Sequence, residues 1–185
     1  MFELLPQKHN LQTKNENKVL VRYGGTIGNK FYGYTTYEVD DKTGNKLLEI
    51  IPKEYRKDFE PSLISINIEN VIPHTDTKIK AAINFYIDTA EGVTSFHKIK
   101  DGIEPYIEKL PNQTDGALYQ EKDLDVTGRF KANYGDIYVL DVKQIHSVKC
   151  KLNAIRTAYC LKSYIYSYDE VLDILKGAYE KDSKK

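Results

Sequence analysis

Apolar and polar residues alternate along much of this chain, most clearly between Ser62 and Asp76. Ile64, Ile66, Ile68, Asn70 and Ile72 fall on one face, and His74 and Asp76 continue it. A period of two predicts an extended strand with one face against a core. The pattern recurs from Lys80 to Asp88, where Ala82, Asn84 and Tyr86 oppose Ile83, Phe85 and Ile87. A Glu91-Gly92 turn then leads into Gly92 to Lys98, which predicts a hairpin. Val126 to Lys131 and Asp136 to Val142 predict strands around the turn at Asn133-Tyr134-Gly135-Asp136. His146 to Lys151 and Asn153 to Tyr166 predict a further pair.

Upstream, Lys18 to Tyr23 predicts a short strand ending at a Gly24-Gly25 turn. The Tyr- and Thr-rich run from Phe31 to Val39 predicts another. Asp40 to Gly44 reads as a turn, and Asn45 to Phe59 as a short helix begun or broken at Pro52. Residues 99–126 are polar, contain Pro105 and Pro111, and predict a long irregular segment able to serve as a lid. Ser167 with Glu170 three residues on forms a capping box. Val171, Leu172, Ile174, Leu175, Ala178 and Tyr179 give the following helix an apolar stripe. The tail Lys181 to Lys185 is expected to fray.

Roughly seven to nine short strands with few helices predict a mainly β fold, a sandwich or barrel. The double-stranded β-helix, or jelly roll, is the version whose interior hosts metal sites. A length of 185 residues suits one domain. Its core would span about 62–166, with an N-terminal extension 1–61 and a C-terminal helix at about 168–181.

Charge narrows the function. Lys plus Arg and Asp plus Glu are equal at 27 each, and the sequence pI is about 6.9. That balance speaks against a nucleic-acid role, because no basic stripe with interleaved aromatics is present. The apolar runs are too short for a membrane helix, and the first residues lack a cleavable apolar leader, so a cytoplasmic location is expected. Cys150 and Cys160 make no disulfide framework and no Cys-x-x-Cys pair, and read as packed thiols. The 15 tyrosines suit pleated surfaces.

Four residues carry candidate chemistry. His74 and Asp76 form a His-x-Asp pair in Ile72-Pro73-His74-Thr75-Asp76. His146 follows 72 residues after His74, and Arg156 ten residues after that. Two imidazoles and one carboxylate on one face of a metal leave its other positions open. Taken singly, each residue has a plainer role: a hydrogen-bonded pair for His74 and Asp76, a salt bridge for Arg156, a core aromatic for Tyr86. His9 and His97 are assigned no role. Arg156 shares its strand face with Ala154, Ala158 and Cys160, and Tyr86 shares its face with Ala82 and Asn84. Small neighbours beside a large polar residue leave space for a ligand, and a buried Arg needs a partner.

Pro73-His74-Thr75-Asp76, Ile83 to Ile87, Gly135 to Asp141, Ile145-His146-Ser147-Val148 and Arg156 together resemble the Fe(II)/2-oxoglutarate-dependent dioxygenases, in particular their prolyl-4-hydroxylase-like subgroup. The likeness covers residues 62–166. It implies that His74, Asp76 and His146 bind Fe(II), and that Arg156 pairs with the far carboxylate of 2-oxoglutarate, helped by Tyr86 and, on the same face, Asn84. Many members carry Ser or Thr two residues after the Arg. Here that position is Ala158, which leaves Thr157 or Tyr86 to supply the contact. The implied activity is hydroxylation of an amino-acid side chain, free or in a protein. A cupin-like metal-binding jelly roll without oxygenase activity, and a nucleic-acid-oxidising member of the same superfamily, are the alternatives.

Overall fold

The computed structural model describes residues 1–13, 19–27, 30–66, 70–76, 78–109 and 116–182. In chain order the elements are β1 (Phe2–Leu4), β2 (Val19–Ile27), β3 (Lys30–Tyr37), α1 (Asp41–Leu48), β4 (Phe59–Ile66), β5 (Asn70–Thr75), β6 (Ala81–Asp88), β7 (Val93–Ile99), β8 (Ile107–Lys109), β9 (Ala117–Tyr119), β10 (Leu124–Lys131), β11 (Ile137–Leu140), β12 (Ile145–Lys149), β13 (Arg156–Ser163) and α2 (Tyr168–Asp182). Two antiparallel sheets form, with strand orders β1-β11-β6-β13-β4-β3-β2 and β10-β7-β12-β5-β9-β8. From β4 to β7 and again from β10 to β13, consecutive strands change sheets. This winding of paired strands across two facing sheets is the double-stranded β-helix.

The winding corrects three expectations. β6 and β7 do not form a hairpin, because the turn through Ala90 and Glu91, both at positive φ, carries the chain to the other sheet. β10 and β11, and likewise β12 and β13, lie in different sheets. The run expected as one strand from Ser62 to Ile72 is two, β4 in the larger sheet and β5 in the smaller, with Ile68 outside the described residues. A periodic pattern survives such a crossing, so it shows strand character without showing sheet membership.

Other boundaries moved for local reasons. Asp40 caps α1 by accepting from Thr43 N at 2.8 Å, so residues expected as a turn begin the helix. β2 runs straight through Gly24 and Gly25, which pair with Gly33 and Tyr32 instead of turning. Residues 99–126 are not wholly irregular, since β8 and β9 extend the smaller sheet beyond β5. Residues 110–115 of that segment lie outside the described residues, as do Lys18 and the last three residues of the tail. The capping box holds: Ser167 N donates to Glu170 Oε2 at 2.8 Å, and Val171 and Leu175 are buried.

The core has two main layers. Outside the larger sheet, Leu47, Ile51, Leu63, Ile83, Val139, Tyr159, Leu161, Val171 and Leu175 pack with the helices and the N-terminal segment. Between the sheets, Ala82, Tyr86, Phe96, Phe130, Tyr138, Leu140, Ala158 and Cys160 form the barrel interior. The larger sheet is thus covered on both faces, which is why nearly every residue of β13 is buried. Among the described residues, no helix is long and apolar enough to cross a membrane.

Candidate metal centre

β5 and β12 are neighbours in the smaller sheet, and their register places His74 opposite His146. A bulge sets this register: Val148 pairs with Val71 although His146 pairs with His74, so β5 carries one extra residue at Ile72-Pro73. Pro73 has no N–H to lose at such a point. The bulge also turns Val71 toward the interior with His74, in place of the expected Ile72. The imidazole centroids are 4.2 Å apart.

Each ring is anchored the same way. His74 Nδ1 lies 2.8 Å from the Ile72 carbonyl, and His146 Nδ1 lies 2.9 Å from the Gln144 carbonyl. A carbonyl only accepts, so each Nδ1 carries a proton and Nε2 is the ring nitrogen left to face a ligand. That is how a protein presents imidazole to a metal. His74 Nε2 is buried with no hydrogen-bond partner. Burial, then the neighbouring His74, holds His146 well below the ordinary imidazole range.

Asp76 follows β5, its amide donating to the Val142 carbonyl at 2.9 Å. Its Oδ1 is 3.9 Å from His74 Nε2. Burial raises its carboxyl, opposed by His74, Lys162 and Lys143. Two imidazoles with Nε2 left for a ligand and a buried carboxyl group fit a divalent cation in donor type. Among the described residues, however, no three His, Cys, Asp or Glu side chains are gathered closely enough to grip a metal as they stand. Ligands about 2.1 Å from one metal at right angles sit about 3 Å apart. Asp76 therefore has to close on His74 to complete the set.

Arg156 opens β13 and is 2% exposed. Its Nη2 donates to Thr94 Oγ1 at 3.0 Å, and its guanidinium carbon lies 4.8 Å from the centre of the Tyr86 ring. Its Nη1 is buried without a hydrogen-bond partner. A buried guanidinium with an unused donor calls for an acceptor, and a carboxylate fits its fork. Gly92 backs this residue: a Cβ there would be 2.9 Å from Nη1. Asn84 Oδ1 is buried and unpartnered, while its Nδ2 lies 3.4 Å from the Tyr86 hydroxyl.

His74, Asp76, His146, Arg156, Tyr86 and Asn84 line one cavity of about 80 Å³, room for several water-sized atoms. Thr157 does not line it. Strand alternation sends Thr157 to the opposite face from Arg156 and Ala158, so it supplies no ligand contact there. Cys160 lines the cavity and its thiol is pushed up to about 12 by burial; Cys150 does not line it. His97 sits on the other face of its strand, 2.8 Å from Ser147 Oγ.

Sequence reasoning missed three polar lining residues: Tyr34, Thr94 and Lys162. Lys162 was legible, because period two from Arg156 passes through Ala158 and Cys160 to reach it. Thr94 and Tyr34 arrive from strands distant in sequence and carry no local signal.

No family model matches the chain, and a search of curated proteins finds no match. Among solved structures it is similar to vicilin from Corylus avellana (hazelnut), at 11% identity and TM-score 0.41, over 77% of this chain and 31% of that one. It is similar to vicilin from Capsicum annuum at 14% identity and TM-score 0.40, over 75% of this chain and 30% of that one. It is also similar to Cellulomonas parahominis L-ribose isomerase, at 10% identity and TM-score 0.37, over 72% of this chain and 62% of that one. The chain spans under two thirds of each. The jelly-roll assignment rests on the strand order itself. What fold and cavity define together is a double-stranded β-helix protein with a histidine pair, a carboxylate and a buried arginine in its interior.

Proposed function

We propose that the protein is a non-haem Fe(II)- and 2-oxoglutarate-dependent oxygenase that hydroxylates an amino-acid side chain. One observation carries the reading: Arg156, buried and with its Nη1 lacking a hydrogen-bond partner, lines the same cavity as the two Nδ1-anchored histidines and Asp76. His74, Asp76 and His146 would hold Fe(II), and the metal with its keto-acid would supply the oxidising chemistry.

The chain's own residues do the rest. His74 and His146 present Nε2 as donors, and Asp76 offsets part of the cation's charge. Arg156 receives the far carboxylate of 2-oxoglutarate, held in place by Thr94 and by the face of Tyr86. Ile79, Leu140, Val142 and Val148 line the same space and keep it apolar, which strengthens each polar contact inside. The choice of an amino-acid side chain rests on the prolyl-hydroxylase-like resemblance. Asp76→Ala should abolish succinate formation from 2-oxoglutarate in a folded protein; succinate formation at the wild-type rate contradicts the assignment.

The open spacing of Asp76 favours a second reading, a jelly roll that binds metal through the two histidines without oxygenase activity. It predicts metal binding with no keto-acid-dependent O₂ consumption.

A further inference from the structure

The strands that carry the candidate metal centre have a second face. Along β12, His146 and Val148 line the interior cavity, while Ser147 and Lys149 line a cleft of about 330 Å³ on the outside of the smaller sheet. Along β7, Thr94 lines the interior, and Val93, Ser95 and His97 line the cleft. β10 adds Leu124, Val126 and Arg129, and the short turn Glu121–Asp123 adds Glu121. Small ligands take concave sites of roughly 300–1,000 Å³.

Polar groups converge in this cleft. Arg129 on β10 is the cross-strand partner of Ser95 on β7, and Ser95 is the partner of Ser147 on β12. The three residues stand in one row across adjacent strands about 4.8 Å apart. Ser147 is only 4% exposed although it faces outward, and its Oγ lies 2.8 Å from His97 Nε2. With the imidazole as donor, the hydroxyl proton is left for an acceptor in the cleft. Burial, opposed by Glu121 and aided by Lys149 and Arg129, holds His97 below the ordinary imidazole range, so the ring adds no charge at neutral pH. Lys149 Nζ is 3.2 Å from Glu121 Oε1, and those two charges offset each other. Arg129 has neither an ion pair nor a hydrogen bond among the described residues. The cleft therefore keeps one uncompensated positive charge beside two hydroxyls.

We propose that this outer cleft binds a phosphate group, as the free ion or as a small phosphate monoester. The Arg129 fork takes two of its oxygens, and the Ser95 and Ser147 hydroxyls donate to the others. A fork alone satisfies a flat carboxylate, whereas hydroxyls beside it serve an anion whose further oxygens lie out of that plane. Val93, Leu124 and Val126 give an ester's organic part an apolar wall. The cleft lies across the sheet from His74, His146 and Arg156, and the inference does not depend on the oxygenase reading.

The test is NMR titration of the full chain, labelled with ¹⁵N at histidine, with sodium phosphate and with glycerol phosphate at constant ionic strength. The His97 ring nitrogens should shift saturably, Nε2 toward its protonated position, and Arg129→Gln should weaken binding by at least about tenfold. Arg129 is exposed on an edge strand, so its variant keeps the fold; Ser95→Ala should weaken binding in the same direction. Tighter binding of the ester assigns the cleft to a phosphate monoester, and equal binding assigns it to the free ion; both support the inference. No saturable shift at His97, an equal shift with sodium acetate, or unchanged affinity in Arg129→Gln overturns it.

Discussion

Gly92 is where one absent atom matters most. A Cβ there would meet Arg156 Nη1 at 2.9 Å and the Thr89 carbonyl at 2.9 Å. The carbonyl belongs to the turn backbone and yields little, so in Gly92→Ala the guanidinium has to tilt. The expected outcome is a loss of about tenfold in 2-oxoglutarate affinity, with Fe(II) binding unchanged, both read by titration. Equal loss of metal and keto-acid binding would mean a general disturbance instead. The inward placement of Arg156 was legible from its two-residue period with Ala158 and Cys160, whereas that of His74 also needs the bulge at Ile72-Pro73, which the alternation does not announce. The support of Arg156 was less legible. Thr94 holds Arg156 across the barrel, and no feature near residue 94 announces it.

At the scale of elements, period two found the strands but not the sheets they join. Alternation is a property of one strand against one surface, whereas partner choice depends on contacts far apart in sequence. The helix begun by Asp40 shows the converse: a short acceptor side chain before a weakly patterned run can start a helix that the pattern alone places later. Asp136 ties several elements together. It pairs with Lys8, accepts from Asn133 N at 2.7 Å, and gives its carbonyl to Tyr86 N at 2.9 Å. Burial pulls its carboxyl up, but the Lys8 and Asn133 hydrogen bonds outweigh burial and hold it below the ordinary value of 3.8. A depressed carboxyl stabilises the fold above its unfolded value and loses that contribution as pH falls through the native one. Asp136→Asn should therefore cost about 1–3 kcal/mol at neutral pH. Its urea midpoint should converge on the wild type's as pH falls below 3.8; parallel curves down to strong acid would contradict this.

For the molecule as a whole, the larger sheet is packed on both faces, with Leu161 fully buried on the helix side and Ala158 and Cys160 on the cavity side. Leu161→Ala should cost about 2–5 kcal/mol and lower ligand binding only through unfolding; full stability in denaturant would show that this layer does not support the barrel. The central claim is that the cavity takes Fe(II) and then a keto-acid on Arg156. The most direct measurement is anaerobic titration of the metal-free protein with Fe(II) and then 2-oxoglutarate, followed in the visible. A weak metal-to-ligand charge-transfer band, present in the wild type and absent in Arg156→Ala, is the predicted result. Metal binding with no band in the wild type, or a band that survives in Arg156→Ala, would contradict it.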